Sequence, residues 1–412
     1  DADIAYVGGA LQLMFRTSTI VGAFPLISPA TGRADYGAVI APRFDWTGVG
    51  QVLAHTGWKT LPSIASLPML PHSESGVPAW VISSIVLFRL QALLREAHRR
   101  FRTVDCDTSS PRGEIRWAEY AQNRIPNARL TDVPCSFPEL QTDQTLLGAV
   151  HYVLRIHHAS LQSQRASGVA VVALLDLCQA LLDVVQRVPP RRPTAPDFAR
   201  WTRGSLVNGV AVDAIAGMEW TIHERGLAGL GDLSGLPWML PMELFFESWV
   251  ETVAADVARI IGGTVAAGRE RKTVIPIRWQ PSFVGSQRYL LPDVVLTKPD
   301  HTIIFDAKYK QHWDELDASR WSDVAADIRD THRSDLLQVL AYSTVAPAGR
   351  VTCCLVYPCR LSTWERLISQ GRVWHHASIG GGGAREVELV LCAIPMGAAP
   401  RTIAEQLCRG LR

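Results

Sequence analysis

Thr302-Ile-Ile-Phe-Asp-Ala-Lys-Tyr309 is an apolar run broken at two alternate positions by charge. Side chains two apart in a strand share a face, so Asp306 and Lys308 lie on one side and Phe305, Ala307 and Tyr309 on the other. The run just upstream, Tyr289 to Thr297, reads as another strand and carries Pro292-Asp293. Pro299-Asp300 between the two is a turn signal. A hairpin through that turn sets Asp293 beside Asp306. Two carboxylates at one point repel and require a cation, and a hard divalent ion with oxygen ligands, Mg²⁺ before Mn²⁺, is the natural one. The carbonyl of Ala307 is a further oxygen ligand in reach.

Working outward, Leu244, Phe245, Trp249, Val250, Val253, Val257 and Ile260 recur at helical spacing, and Gly262-Gly263 stops that helix. Val274 to Trp279 reads as a strand. Ser334 to Val345 is a helix closed before Pro347, and Val351 to Tyr357 and Glu386 to Ile394 are two more strands. Helix, three strands, helix, two strands implies an α/β fold, a mixed sheet flanked by helices. Ahead of this 239–412 region, residues 1–75 are β-rich with Gly and Pro punctuation, a candidate partner-docking domain. Residues 76–238 are mainly helical. Residues 78–103 read as one helix ending in the basic cluster His98, Arg99, Arg100 and Arg102. Ser109 to Trp117 and Pro134 to Pro138 read as loops. Leu146 to Ser160 and Val169 to Val188 read as helices, and the prolines of 187–196 make a linker or a stiff loop. Gly380 to Gly383 reads as a hairpin-like connection.

Composition bounds the function. The chain has 412 residues, 47% of them hydrophobic, and a formal net charge of +2, so any nucleic-acid surface is local rather than global. Only five lysines occur against 36 arginines, yet Lys308 and Lys310 stand two apart. Arginine keeps its proton, whereas a lysine can be tuned by its surroundings. The eight cysteines form no C-x-x-C pair, which disfavours a zinc ribbon. Cys353, Cys354 and Cys392 read as core residues of a protein in a reducing cytoplasm. No secretory start is visible. Gly168 to Val185, with Asp176 and Asp183, reads as a buried helix rather than a membrane span. No G-x-x-x-x-G-K-[ST] occurs, so no nucleotide is expected to bind through a phosphate loop.

These residues suit phosphodiester hydrolysis. Asp293, Asp306 and Ala307 are the candidate metal ligands. Glu247, on the helix before the sheet, either reaches the metal and its waters or belongs to the polar stripe of Glu243 and Glu251. Lys308 would orient or deprotonate the attacking water, or stabilise the charge at phosphorus, with its own pKa falling through burial or staying high beside the carboxylates. The catalytic candidates are therefore Asp293, Asp306, Lys308 and Glu247. Gln338 and Tyr342, four apart on one helix face, would hold a DNA backbone or order metal-bound waters. Lys310 joins them as a supporting, DNA-binding candidate.

The segments Leu244-Phe-Phe-Glu247, Leu291-Pro-Asp-Val-Val295, Ile304-Phe-Asp-Ala-Lys-Tyr-Lys310 and Asp335-Leu-Leu-Gln-Val-Leu-Ala-Tyr342 resemble the PD-(D/E)xK nuclease superfamily, in its RecB-like variant. More closely they resemble the McrC-like nuclease subunits of McrBC-type restriction systems. Fainter likeness runs upstream through Ile40-Ala-Pro-Arg-Phe44, Arg112-Gly-Glu-Ile-Arg-Trp117 and Pro134 to Asp143. The resemblance implies a restriction-endonuclease-like core and a Mg²⁺-dependent DNA endonuclease that docks by its N-terminal region on a hexameric AAA+ McrB-like GTPase or ATPase. The motor would then choose the target and this subunit would cut. The segment between Lys310 and Ser334 departs from the pattern, carries no readable motif, and has room to cover the site or contact DNA. An autonomous RecB-like nuclease and an inert scaffold are the rival readings.

Overall fold

The computed structural model describes residues 2–7, 10–15, 19–28, 30–70, 77–96, 100–141, 143–203, 208–225, 235–283, 285–310, 326–346, 349–379 and 386–411. Its contacts divide the chain into two compact units. One comprises residues 1–81, 164–173 and 226–412, the other residues 82–163 and 174–225.

The first unit is organised on a six-stranded mixed sheet. Its strands are β1 (Thr264–Ala267), β2 (Val294–Thr297), β3 (His301–Ala307), β4 (Arg350–Cys359), β5 (Trp374–Ile379) and β6 (Glu386–Pro395), in the order β1-β2-β3-β4-β6-β5. β3, β4 and β6 run parallel, and the other pairs are antiparallel. β3 is buried from His301 through Asp306 and β4 from Val351 through Cys359, as central parallel strands covered on both faces should be. Helix α1 (Met242–Ile261) packs on β2 and β3; of the expected stripe Phe245, Trp249, Val250, Val253 and Val257 are buried, joined by Phe246, whereas Leu244 is exposed. Gly262, at φ 81°, ends it. Helix α2 (Ala326–Val345) packs on β3 and β4. Strand alternation assigns the faces: Tyr309 meets Phe246 of α1, whereas Lys308 bonds Gln338 of α2. Helices α3 (Leu361–Ser369) and α4 (Pro400–Gly410) complete the core, α4 lying against α1.

The N-terminal stretch is β-rich, as its punctuation implies. Ile20–Ile27 lies between Ala34–Ile40 and Trp238–Pro241, with Ser63–Ile64 beyond, so the strand leading into α1 is held by a partner more than 200 residues upstream. The helix Trp46–His55, capped by Asp45 through its bond to Gly48 N–H at 2.7 Å, was not anticipated.

The second unit contains the expected helices as Gln144–Ser163 and the C-terminal part of Val169–Val185, with Ala195–Arg203 and Gly209–Ile222 added. Three expectations fail here, the first at Ser109 to Trp117, read as a loop, where Glu114–Ile115 is a strand and Trp117 opens a helix. The helix from residue 78 stops at Glu96, and Arg100–Thr108 is a strand, so Arg100 and Arg102 do not cap a helix. His98 and Arg99, like Gly380 to Gly383, lie outside the described residues. Pro134 to Pro138, read as a loop, belongs to the strand Val133–Gln141, which pairs along its length with Arg100–Thr108. Its other edge pairs through Cys135 and Ser136, and Pro134 C=O there accepts Arg116 N–H at 2.9 Å. Pro134 and Pro138 do not need to donate there, which is why a strand tolerates them. Of the 187–196 stretch, residues 187–194 form a stiff loop and Ala195 opens a helix. Val188 C=O contacts His151 Nδ1 at 2.6 Å, Arg191 N–H donates to Gly148 C=O at 2.9 Å, and Asp197 binds Thr194 and Arg191.

His157 is buried in this unit between the hydroxyls of Ser83 (3.0 Å) and Thr221 (2.9 Å). Burial lowers its pKa to about 4. The unfolded chain therefore takes up this proton near pH 6.5, well before the folded one does, and stability is lost as pH falls through that window. Between pH 7 and pH 5 the loss is about 2 kcal/mol from this group. Urea unfolding of His157→Gln should show a correspondingly shallower decline than the parent. An unchanged pH slope would contradict the assignment.

Among the described residues no two cysteines form a disulfide, and seven of the eight are buried. Among the described residues no helix is long and apolar enough to cross a membrane.

Candidate active site

Pro292 cannot donate to a ladder, so the expected Tyr289 to Thr297 strand is broken in two, Tyr289–Leu290 and β2. Asp293 stands in the break, immediately before β2. The turn at Pro299-Asp300 closes with Lys298 N–H on His301 C=O at 2.9 Å, and Val294 then pairs with Phe305. That register sets Asp293 opposite Asp306. The Asp293 backbone is clamped as well. Gly268 N–H donates to its carbonyl at 2.7 Å, and Thr273 Oγ1 donates to Pro292 C=O at 2.6 Å. A Cβ on Gly268 would fall 2.6 Å from Pro292 O, so only glycine permits this approach. Neither Gly268 nor Thr273 was singled out from the sequence, because both contacts depend on the β1 edge strand, which has no strong signal of its own.

Asp293 Oδ2 accepts the Ala307 N–H at 2.8 Å. Lys308 lies one residue past the end of β3, yet its N–H still donates to Val356 C=O at 2.9 Å, which keeps its side chain on the Asp306 face. The Lys308 ammonium sits 2.7 Å from Asp306 Oδ2 and donates to Gln338 Oε1 at 3.0 Å. The Gln338 amide in turn donates to the Tyr342 hydroxyl at 2.8 Å. Asp306, Lys308, Gln338 and Tyr342 thus form one chain of contacts across β3 and α2. Lys310 points elsewhere, into Asp335, with Nζ–O distances of 2.7 and 2.9 Å. Asp335 also receives the Tyr357 hydroxyl at 3.5 Å, and Tyr357 contacts His332 at 3.1 Å. Asp335, buried three residues before Gln338 on the same helix, carries no motif of its own; its spacing from Gln338 is the signal that the sequence offers.

The electrostatics are those of an overcrowded acidic site. Burial, then the charges of Asp306 and Glu247, raise the Asp293 pKa to about 8. Burial also raises Asp306 above the ordinary carboxylate range, against the pull of Lys308. Glu247, half-buried on α1, is raised by burial and then by Glu243 and Asp306. It therefore shares the field of the two aspartates rather than lying on a fully solvated stripe. Burial alone would lower Lys308, but the carboxylates of Asp306 and Asp293 outweigh it and hold the ammonium above its usual value. Both oxygens of Asp306 are buried without a well-directed hydrogen-bond donor, the Lys308 contact being an ion pair off that direction. Buried, incompletely paired carboxylate oxygens are costly unless something else binds them.

The N-terminal stretch reaches the same region. Phe44 meets the Tyr309 ring edge-on at 6.3 Å, and the Arg43 guanidinium lies 5.7 Å from that ring's centre. A cleft of about 460 Å³ opens there, lined by Arg43, Asp45, Gln51, Arg360 and neighbours. The acidic cluster does not line it.

A family of proteins described as McrBC 5-methylcytosine restriction system components matches residues 70–358, which is 289 of the 412 residues. The chain belongs to the McrBC family. The matched span contains Glu247, Asp293, Asp306, Ala307, Lys308, Lys310, Gln338 and Tyr342, so every candidate site residue of this McrBC-family chain lies inside it. Two solved assemblies from Thermococcus gammatolerans contain chains of low similarity. One is a half-complex from a tetradecameric assembly of McrB AAA+ hexamers with bound McrC, at 15% identity and a TM-score of 0.39, covering 99% of this chain and 84% of that one. The other is the McrBC complex, at 12% identity and a TM-score of 0.32, covering 80% of each chain. No curated protein matches.

Proposed function

We propose that this chain is the McrC-like cutting subunit of a McrBC-type restriction system, a divalent-metal-dependent DNA endonuclease with a PD-(D/E)xK site at Asp293, Asp306 and Lys308. The observation that carries the reading is the set of charged contacts joining Asp306, Lys308 and Gln338 beside Asp293, within a chain of this family. An AAA+ NTPase of the McrB kind, as named in the Thermococcus assemblies, would be its motor. The motor would supply target choice and nucleotide hydrolysis.

The residues fit a divalent ion. The oxygens of Asp306 lack well-directed donors, and its charge helps to raise both Asp293 and Glu247. Among the described residues no group of three or more His, Cys, Asp or Glu side chains is placed to hold a metal. Mg²⁺ is commonly held by only one or two carboxylates, with water and substrate phosphate filling the remaining positions. Asp293 and Asp306 would hold it, with Glu247 and the Ala307 carbonyl beside them; Mn²⁺ would serve as well. When bound, such an ion neutralises phosphate charge and makes water a better nucleophile.

The chain's own groups do the rest. Lys308 keeps its proton at neutral pH, so it acts as a fixed cation toward the scissile phosphate and its water rather than as a general base. Gln338 holds the ammonium in place, and Tyr342 holds Gln338. Lys310, tied to Asp335, anchors the end of β3 to α2.

The metal assignment has a test without DNA. Raised carboxylate pKa values mean that the folded chain keeps protons which the unfolded chain releases. Their contribution to stability is present at low pH and is lost as pH rises, for Asp293 through about 8. A bound cation offsets that loss. The rise in melting temperature on adding Mg²⁺ should therefore be larger at pH 8 than at pH 6 and should vanish in Asp293→Asn. An equal Mg²⁺ shift in that variant would place the ion elsewhere.

A further inference from the structure

Between Arg271 and Pro292 the chain carries four cations and no acid, although its overall charge is nearly balanced. This stretch is a hairpin. Ile275–Pro276 pairs with Tyr289–Leu290, and Ile277 N–H donates to Arg288 C=O at 2.8 Å. Its outer part is exposed and aromatic. Trp279 is 45% exposed, Phe283 60% and Tyr289 37%. Exposed aromatic clusters of this kind mark interaction surfaces.

The aromatic side chains are held in place. The Trp279 indole N–H donates across the hairpin to Gln287 C=O at 2.8 Å, and the Gln287 amide donates to Tyr289 C=O at 3.0 Å. The Trp279 and Phe283 rings meet edge to face with centroids 6.3 Å apart. Lys272 is paired with Glu270, and the Arg271 guanidinium lies 5.2 Å from the Tyr289 ring centre. Arg278 and Arg288 are exposed and have no acidic partner among the described residues. The hairpin returns directly into Pro292-Asp293, whose carbonyl is bonded by Thr273 at the hairpin's base.

We propose that this hairpin is a DNA-gripping arm. Arg278 and Arg288 take backbone phosphates, and the Trp279–Phe283 pair stacks on or wedges between bases beside the strand being cut. The inference rests on the nuclease reading and adds to it the element that contacts substrate. Free cations flanking a fixed aromatic pair match the two features of nucleic acid that need no sequence code, its phosphate charge and its base faces. The attachment to Asp293 makes the arm's position and the catalytic carboxylate one mechanical unit.

The test is fluorescence anisotropy of a labelled DNA duplex with the full chain, in EDTA and over a series of salt concentrations. Trp279→Ala with Phe283→Ala should weaken binding about tenfold and leave the salt slope unchanged. Arg278→Ala with Arg288→Ala should flatten the plot of log Kd against log salt by about two. Parental binding by both variants, or no duplex binding by the parent at low salt, would overturn the proposal. So would variants that bind DNA normally but fail to assemble with the AAA+ partner, which would make the arm a protein-docking element. The two readings fail separately. Variants that bind normally while the parent complex cuts sink the arm alone. A parent that binds through the arm but never cuts sinks the nuclease reading alone.

Discussion

Asp306→Asn is expected to lower DNA cleavage by about a thousandfold or more while raising the melting temperature of the divalent-free chain. Removing one preorganised electrostatic group from a catalytic site typically costs between about 10² and 10³ in rate, and this carboxylate is also a candidate metal ligand. The opposite effect on stability follows from burial. Asp306 is completely buried, its oxygens lack well-directed donors, and its pKa is raised chiefly by desolvation. Asparagine keeps the shape and discards the charge. The gain should be largest at alkaline pH, where the native carboxylate is most ionised. Differential scanning calorimetry in EDTA reads one half and a plasmid nicking assay the other. A variant that loses activity because it melts earlier would point to a structural aspartate instead. This is the pattern of a site whose functional charge opposes folding.

Trp249→Ala should be the most destabilising single change in the sheet unit. Trp249 is fully buried on α1, and its indole N–H donates to Pro395 C=O at 3.0 Å, joining the helix to the end of β6. Truncating a buried tryptophan costs about 3–5 kcal/mol, a large share of the stability of an ordinary domain. Trp249→Phe keeps most of the volume and loses the hydrogen bond, so its cost should be nearer 1–2 kcal/mol. Glu247 lies two residues earlier on the same helix. Divalent binding should therefore weaken in the alanine variant under conditions where it remains folded. Guanidinium unfolding of the three chains gives the ranking, and an alanine variant as stable as the parent would contradict the packing described.

The strands and helices that carry the candidate site were legible because several signals agree there. The alternation in Thr302 to Tyr309 and the stripe from Leu244 to Ile260 predict β3 and α1 within a few residues. The pairing of Asp293 with Asp306 follows from the Pro299-Asp300 turn, and the structure has that hairpin. The McrBC resemblance read from the same segments is met by the family match. Other elements were hidden for physical reasons. β5, Trp374 to Ile379, is an exposed edge with no clear alternation, and β1 is four residues long. The strand at Pro134 to Pro138 was masked by its prolines, which a lightly paired edge accepts. The Lys310–Asp335 pair and the Gly268 contact join residues far apart in sequence, so no local pattern announces them. Most of the segment between Lys310 and Ser334 lies outside the described residues.

On the proposed function, this chain holds the scissors of a two-component machine. The most direct measurement assembles the AAA+ partner with either the parent chain or the Asp293→Asn, Asp306→Asn double variant. Plasmid cleavage and nucleotide hydrolysis are then followed in the same Mg²⁺-containing reaction. Loss of cleavage with hydrolysis retained is the predicted result; cleavage by the double variant at the parental rate would contradict the account.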